Sequence, residues 1–290
     1  MHLLFWAGRI PTTSPPIGVF DSGVGGLSIV RELRTQLPAV DLLYFADQAH
    51  VPYGPRPLEQ VRDFSEGITR FLLSEGADLI VVACNTASAA ALRYLRDRFA
   101  GVPFVGMEPA VKPATEVSRS RVVGVLATPA TFQGELYASV VERFGQGVRL
   151  INQTVPGLVE RIEAGHLDTP ETEDLIRRAL APILEAGADT IVLACTHYPF
   201  VIPVIARLAG PGVTVIDPAP AIARQAARLR QAKAERADGA DRARATLRLV
   251  TSGSPQDLSL LARQLIKESV EAGRAEWRGL ELVLNPDPGR

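Results

Sequence analysis

The chain contains two cysteines in 290 residues, and they occupy equivalent places in two similar segments. Gly76-Ala77-Asp78-Leu79-Ile80-Val81-Val82-Ala83-Cys84-Asn85-Thr86 aligns with Gly187-Ala188-Asp189-Thr190-Ile191-Val192-Leu193-Ala194-Cys195-Thr196-His197, with seven of eleven positions identical. Each thiol follows an apolar run of strand length and precedes polar residues that start helices well, Asn85 and Thr86 in one copy and Thr196 in the other. In open parallel sheets, ligands bind just beyond the carboxyl ends of strands. A helix N-terminus there favours an anion, either a bound carboxylate or the cysteine's own thiolate. A lone cysteine after an apolar strand is more often a small buried hydrophobe. Two in matching repeats point to chemistry. A disulfide between them and a zinc site are weaker alternatives, for the pair has no C-x-x-C arrangement and no paired ligand spacing.

Other groups of the right type sit at the same predicted edge. Asp21-Ser22-Gly23 follows the first apolar run directly, placing a carboxylate and a hydroxyl beyond it. The glycines Gly23, Gly25 and Gly26 suit close backbone approach to a small anionic ligand. They lack the full GxGxxG spacing of a dinucleotide site, although Asp47 is roughly placed for the ribose-binding acid, which keeps a nucleotide-dependent oxidoreductase as an alternative. His197, two residues after Cys195, suits a proton relay or a cation beside a thiol. Tyr53-Gly54 lies in a Pro-rich loop, His50 to Pro57, able to fold over a site. Thr128 and Thr131 match the place of Ser22 in the second half, as carboxylate donors or helix caps. Glu163 reads by itself as ordinary helix surface. His2, His50 and His166 read as surface or structural.

The surrounding pattern is α/β. Pro16–Phe20, Leu42–Ala46 and Leu79–Ala83 read as strands, alternating with helical spacing over Leu27–Leu37, Leu58–Leu73 and Thr86–Phe99. The pattern restarts at Val122–Leu126, where Gly124-Val125-Leu126-Ala127-Thr128 echoes Gly18-Val19-Phe20-Asp21-Ser22. Two similar Rossmann-like units with mainly parallel sheets are predicted. The expected division is 17–109 with 219–272 for the first unit and 110–218 for the second. An extension (1–16) and a C-terminal tail (273–290) flank them. Crossings fall near Glu108–Pro113 and Asp217-Pro218-Ala219-Pro220, the charged stretch Gln231–Ala245 reads as a solvated helix end and loop, and a helix is expected from Pro255 to about Glu271.

Composition narrows the function. Apolar residues make up 47% and charged residues 22%, as in globular proteins, and no apolar run approaches the ~20 residues of a membrane span. With 31 Lys+Arg against 32 Asp+Glu there is no basic excess to make nucleic acid a main partner. Two cysteines fit a reducing, cytoplasmic compartment. The start, MHLLFWAGRIPTTSPP, lacks a basic region ahead of its apolar patch and reads as an extension rather than a signal peptide. Only three lysines are present, none in a motif for a Schiff base to pyridoxal phosphate.

If the two units face each other across a cleft, one thiol stands on either side of a shared ligand. One thiolate then removes a proton from carbon and the opposite thiol returns one to the other face, inverting that carbon without a cofactor. The carbanion needs hydrogen bonds and helix dipoles to hold its charge.

The chain resembles the cofactor-independent aspartate/glutamate racemase superfamily, and within it the glutamate racemases, over Ile17 to Ile266. The resemblance rests on Gly18-Val19-Phe20-Asp21-Ser22-Gly23-Val24-Gly25-Gly26-Leu27, Val51-Pro52-Tyr53-Gly54, Ala83-Cys84-Asn85-Thr86-Ala87-Ser88, Ala194-Cys195-Thr196-His197-Tyr198-Pro199 and Thr251-Ser252-Gly253. It implies two α/β domains, no cofactor and no metal, a homodimer in some members, and interconversion of L- and D-glutamate for peptidoglycan. By it, Cys84 and Cys195 are the acid/bases, assisted by Asp21, His197 and Glu163. Asp21, Ser22, Tyr53, Gly54, Asn85, Thr86, Thr196 and His197 match substrate-binding positions. Val155-Pro156 departs from the Cys-Pro frequent in relatives, and Ser254 stands where an acidic residue is frequent. An aspartate or other amino-acid racemase, and a non-catalytic role such as gyrase inhibition, are the alternatives.

Overall fold

The computed structural model describes residues 15–234 and 245–285. Most of the N-terminal extension with His2, residues 235–244 of the charged stretch, and the last five residues lie outside the described residues. The described strands are β1 (Ile17–Asp21), β2 (Leu42–Ala46), β3 (Leu79–Val82), β4 (Phe104–Gly106), β5 (Val122–Ala127), β6 (Arg149–Gln153), β7 (Thr190–Ala194), β8 (Thr214–Ile216), β9 (Leu247–Thr251), β10 (Ala272–Arg278) and β11 (Glu281–Leu284). They form two sheets, ordered β11-β10-β9-β2-β1-β3-β4 and β6-β5-β7-β8. Every pair is parallel except β10 with β11.

The order β2-β1-β3-β4 recurs as β6-β5-β7-β8, and the register recurs with it. Gly18 pairs with Ile80 in one sheet, and Gly124 with Ile191 in the other. The sequence repeat is a repeat of structure, and it places a cysteine just past the end of each of β3 and β7. Strands β1, β2, β3 and β7 are buried along their whole length, as continuous apolar runs require when helices cover both faces of a sheet. One apolar cluster runs through both sheets, joining Val19, Leu27 and Leu79 to Leu158, Ile191 and Tyr198.

The Gly-Ala-Asp that opens each repeat has a mechanical role. Gly76 (φ 92°) and Gly187 (φ 79°) take the left-handed conformation that ends helices Leu58–Ser74 and Pro170–Glu185. Each helix closes with paired bonds, Ala77 N to Leu72 O and Gly76 N to Leu73 O, then Ala188 N to Ile183 O and Gly187 N to Leu184 O. The aspartate that follows clamps a neighbour. Asp78 accepts from Arg230 Nη1 at 2.6 Å. Asp189 accepts from Ser118 Oγ (2.7 Å), Arg119 N (2.7 Å) and Ser120 N (2.8 Å), tying β7 to the loop before β5. Burial opposes ionisation of Asp189, but these donors outweigh it and hold its carboxyl well below the usual range. Asp189→Ala is expected to lower stability by about 1–2 kcal/mol at neutral pH. Because the folded value is depressed, the contribution exists above the unfolded carboxylate value and disappears only as pH falls through the folded one. Urea unfolding at pH 7 and in acid checks both.

Two expectations need correction. The segment after residue 272 is not a peripheral tail: β10 and β11 extend the large sheet. Trp277 of β10 donates from Nε1 to Asp47 Oδ1 at 2.8 Å and packs against Phe64 and His50. The short sequences of β10 and the edge strand β11 carry no clear alternation, so their pairing is legible only in three dimensions. The helix expected from Pro255 to about Glu271 stops at Ile266, followed by Lys267 with φ 60°.

Candidate active site

The carboxyl ends of β1, β3, β5 and β7 converge on one cavity of about 180 Å³. Ser22, Tyr53, Gly54, Cys84, Asn85, Thr86, Thr128, Cys195, Thr196 and His197 line it. Asp21, Glu163 and Thr131 do not. Asp21 and Glu163 stand behind the lining and touch the groups that form it, while the Thr131 hydroxyl meets that of Thr128 at 2.9 Å. Thr128 is the helix cap expected of it: its Oγ1 caps helix Pro129–Gln133, and it also meets Thr86 Oγ1 at 2.9 Å across the cleft.

Cys84 occupies the N-cap of helix Asn85–Arg98, with Sγ accepting from Ala87 N at 3.4 Å. The cap is the cysteine itself, not Asn85 or Thr86, which are the first two helical residues. Burial pushes the Cys84 thiol well up, and the neighbouring Asp21 charge adds to it, so Cys84 keeps its proton at rest. Asp21 is also buried, which raises its carboxyl despite the opposing His197 charge. Ser22 N (2.8 Å), Gly26 N (2.6 Å) and Thr196 Oγ1 (3.2 Å) donate to it.

Cys195 is placed differently. A 3-10 turn, Tyr198–Val201, separates it from helix Ile202–Ala209, with Pro199 in the turn. The expected helix N-terminus therefore serves Cys84 alone, and Thr196 is no cap but a donor to Asp21. What faces Cys195 is His197, whose Nδ1 lies 3.9 Å from Sγ while Nε2 lies 2.5 Å from Glu163 Oε1. Burial by itself lowers a histidine, yet Cys195 and Glu163 outweigh it and raise His197 well above its ordinary value. Glu163 comes from helix Leu158–Glu163 and reaches across the cleft to Val24 N at 2.7 Å.

The glycine-rich turn makes room for these groups. A Cβ on Gly23 would stand 1.9 Å from Glu163 Oε1, and one on Gly25 would stand 2.5 Å from His197 Nδ1. The anion that the turn admits closely is thus the chain's own Glu163 carboxylate. The dinucleotide alternative loses its acid as well, for Asp47 is buried and accepts from Tyr53 Oη (2.6 Å), Ser252 Oγ (2.7 Å) and Trp277 Nε1 (2.8 Å), with His50 Nδ1 at 2.9 Å. Tyr53 lines the cavity while its hydroxyl is spent on Asp47, and a Cβ on Gly54 would meet Thr128 at 3.0 Å. Asn85 is the reverse case. It lines the cavity, and both its amide Nδ2 and Oδ1 are buried without a partner among the described residues. A buried amide of this kind requires a partner, and the cavity supplies the place for one.

Residues 17–226 match the model of the Asp/Glu/Hydantoin racemase family. The chain belongs to that family. It is 54% identical over 216 residues to the glutamate racemase of Roseiflexus sp. (strain RS-1), covering 74% of this chain and 79% of the relative. It is 51% identical over 245 residues to the glutamate racemase of Pseudomonas aeruginosa, covering 84% and 91%. A crystal structure of a Bacillus anthracis glutamate racemase isoform superposes with a TM-score of 0.81 at 30% identity, over 90% of this chain and 97% of that one. Among the described residues, no helix of the racemase is long and apolar enough to cross a membrane.

Sequence reasoning missed Thr154, Glu160 and Tyr198, which also line the cavity, and Gln48, which touches Glu163. Gln48 stands beyond the carboxyl end of β2, the edge that already held Asp21 and Cys84, and that position was the available signal. In this racemase Glu163→Gln removes the carboxylate partner of His197, so the imidazolium is expected to lose its proton at lower pH. A raised folded value stabilises below the unfolded pKa of ~6.5, and this is lost as pH rises through the folded value. The stability gap between the two proteins therefore closes towards alkaline pH. Ring NMR of His197 and urea unfolding across pH read both effects.

Proposed function

We propose that this racemase interconverts L- and D-glutamate by two-base proton transfer, with Cys84 and Cys195 acting on opposite faces of the α-carbon. The observation that carries the reading is that two thiols, at the ends of equivalent strands of two sheets, line one small cavity. In one direction Cys195 removes the α-proton and Cys84, protonated at rest, supplies one to the opposite face. In the other direction the roles exchange, and Cys84 must first surrender its proton. Asp21, beside it and raised by burial, accepts that proton. His197 carries a proton between Cys195 and Glu163. Ser22, Tyr53, Gly54, Thr86, Thr128 and Thr196 bind substrate, with Thr131 holding Thr128. The unpartnered Asn85 amide and the N-terminus of helix Asn85–Arg98 hold a substrate carboxylate and the charge that builds on it as the α-proton leaves.

Glutamate is favoured over other acids because the relatives at about half identity are named for it. The same reading assigns the protein to the cytoplasm, supplying D-glutamate for peptidoglycan, with self-association into a dimer to be read by sedimentation. Incubation with D-glutamate in deuterated water without cofactor tests the chemistry. Inversion with one α-deuterium per turnover is expected. Absence of both inversion and exchange in a folded sample sinks the glutamate reading.

A further inference from the structure

Behind the Cys195 relay lies a second line of hydrogen bonds whose direction is set at its far end. Gly253 N–H donates to Thr251 Oγ1 at 2.9 Å, so the Thr251 hydroxyl must point its own proton elsewhere. Its partner is Gln48 Oε1 at 2.8 Å. The Gln48 amide is thereby oriented with Oε1 towards Thr251 and Nε2 towards Glu163 Oε2, 3.3 Å away. The other end requires the same orientation, since a carboxylate accepts and only the NH₂ face of the amide donates. Glu163 then receives three donors: Val24 N and His197 Nε2 on Oε1, and Gln48 on Oε2. Both of its oxygens are engaged, and the one that meets His197 is held in place.

We propose that Gln48 is a positioning residue for the Cys195 half of the reaction: its amide, oriented by Thr251, holds Glu163 so that His197 keeps Nδ1 towards Cys195. This rests on the two-thiol reading above. Gln48 is absent from the cavity lining and touches neither thiol. Its hydrogen bonds reach the relay through Glu163 and His197, and none in the line goes to Asp21 or Cys84.

Gln48→Met keeps the chain length and removes the amide. The expected loss in kcat is about ten- to hundred-fold, as for a misplaced relay group, with KM nearly unchanged. The distinguishing readout is directional. With α-deuterated glutamate the primary isotope effect rises for the enantiomer whose α-proton Cys195 removes. With the opposite enantiomer, where Cys195 returns a solvent proton, the solvent isotope effect rises instead. His197 also deprotonates at lower pH in ring NMR. Gln48→Glu supplies a donor only while its carboxyl is protonated, so its activity approaches wild type in acid and falls as pH rises. The titratable groups facing Glu163 there are His197, Asp21 and Tyr44. Thr251→Val, which frees the amide to turn over, gives a smaller loss with the same directional signature. Equal isotope effects in both directions, or an unmoved His197 titration in Gln48→Met, would overturn the proposal. If the wild-type chain fails to racemise glutamate, the mechanistic reading falls, while the His197 titration still decides whether Gln48 sets that imidazole.

Discussion

Cys84→Ser and Cys195→Ser each lower racemisation by about 100- to 10,000-fold, the range over which a positioned acid or base contributes to a proton transfer. A serine hydroxyl keeps the shape of the site but is far too weak an acid to exchange protons with carbon at neutral pH. The residual chemistry is informative because one thiol survives in each variant. That thiol can still take the α-proton from the enantiomer facing it and return a solvent deuteron to the same face. Each variant is therefore expected to put α-deuterium into one enantiomer without inverting it, and the two variants select opposite enantiomers. Chiral chromatography with mass detection reads this directly. Full racemisation in both directions by either variant would refute the pairing.

Gly25→Ala is expected to damage both thiol partners through one methyl group. The new Cβ would lie 2.5 Å from His197 Nδ1 and 2.7 Å from Asp21 Oδ2. Neither neighbour can move aside easily. Asp21 is held by the backbone N–H groups of Ser22 and Gly26, and His197 by Glu163. The turn must shift instead, at a cost of about 1–3 kcal/mol for overpacking a close contact. A displacement near 1 Å of groups flanking both thiols costs about 100-fold in kcat. Gly212→Ala is the control, since nothing lies within 4 Å of a Cβ at that position. Thermal unfolding and initial rates on the two variants separate a steric effect at the turn from a general intolerance of alanine. Equal behaviour of the two would show that the turn has slack that the close contacts conceal.

How much of this was legible beforehand depends on the range of the interaction that fixes each part. The paired cysteines, the helix-ending Gly-Ala-Asp and the buried central strands are local: each follows from a few neighbouring residues and their periodicity. The repeat implies two like units, so the two-sheet architecture was legible too, while the register of Gly18 on Ile80 and Gly124 on Ile191 came from the structure. Strand β6, with the partly exposed sequence RLINQ, and the β10–β11 pair were not, because an edge strand owes its form to the neighbour it pairs with.

By itself, the sequence determined that two thiols end equivalent strands, and the resemblance carried by its motifs supplied the chemistry they belong to. Tertiary structure decided what surrounds each one. The helix N-terminus falls to Cys84 because Pro199 and the 3-10 turn keep a helix away from Cys195. Glu163 meets Val24 from 139 residues away, and Gln48 meets Thr251 from 203, distances in sequence over which no pattern of neighbours carries information. Those contacts exist because two distinct sheets pack through a shared apolar cluster, and the glycine turn between them is thin enough to let the carboxylate and imidazole through.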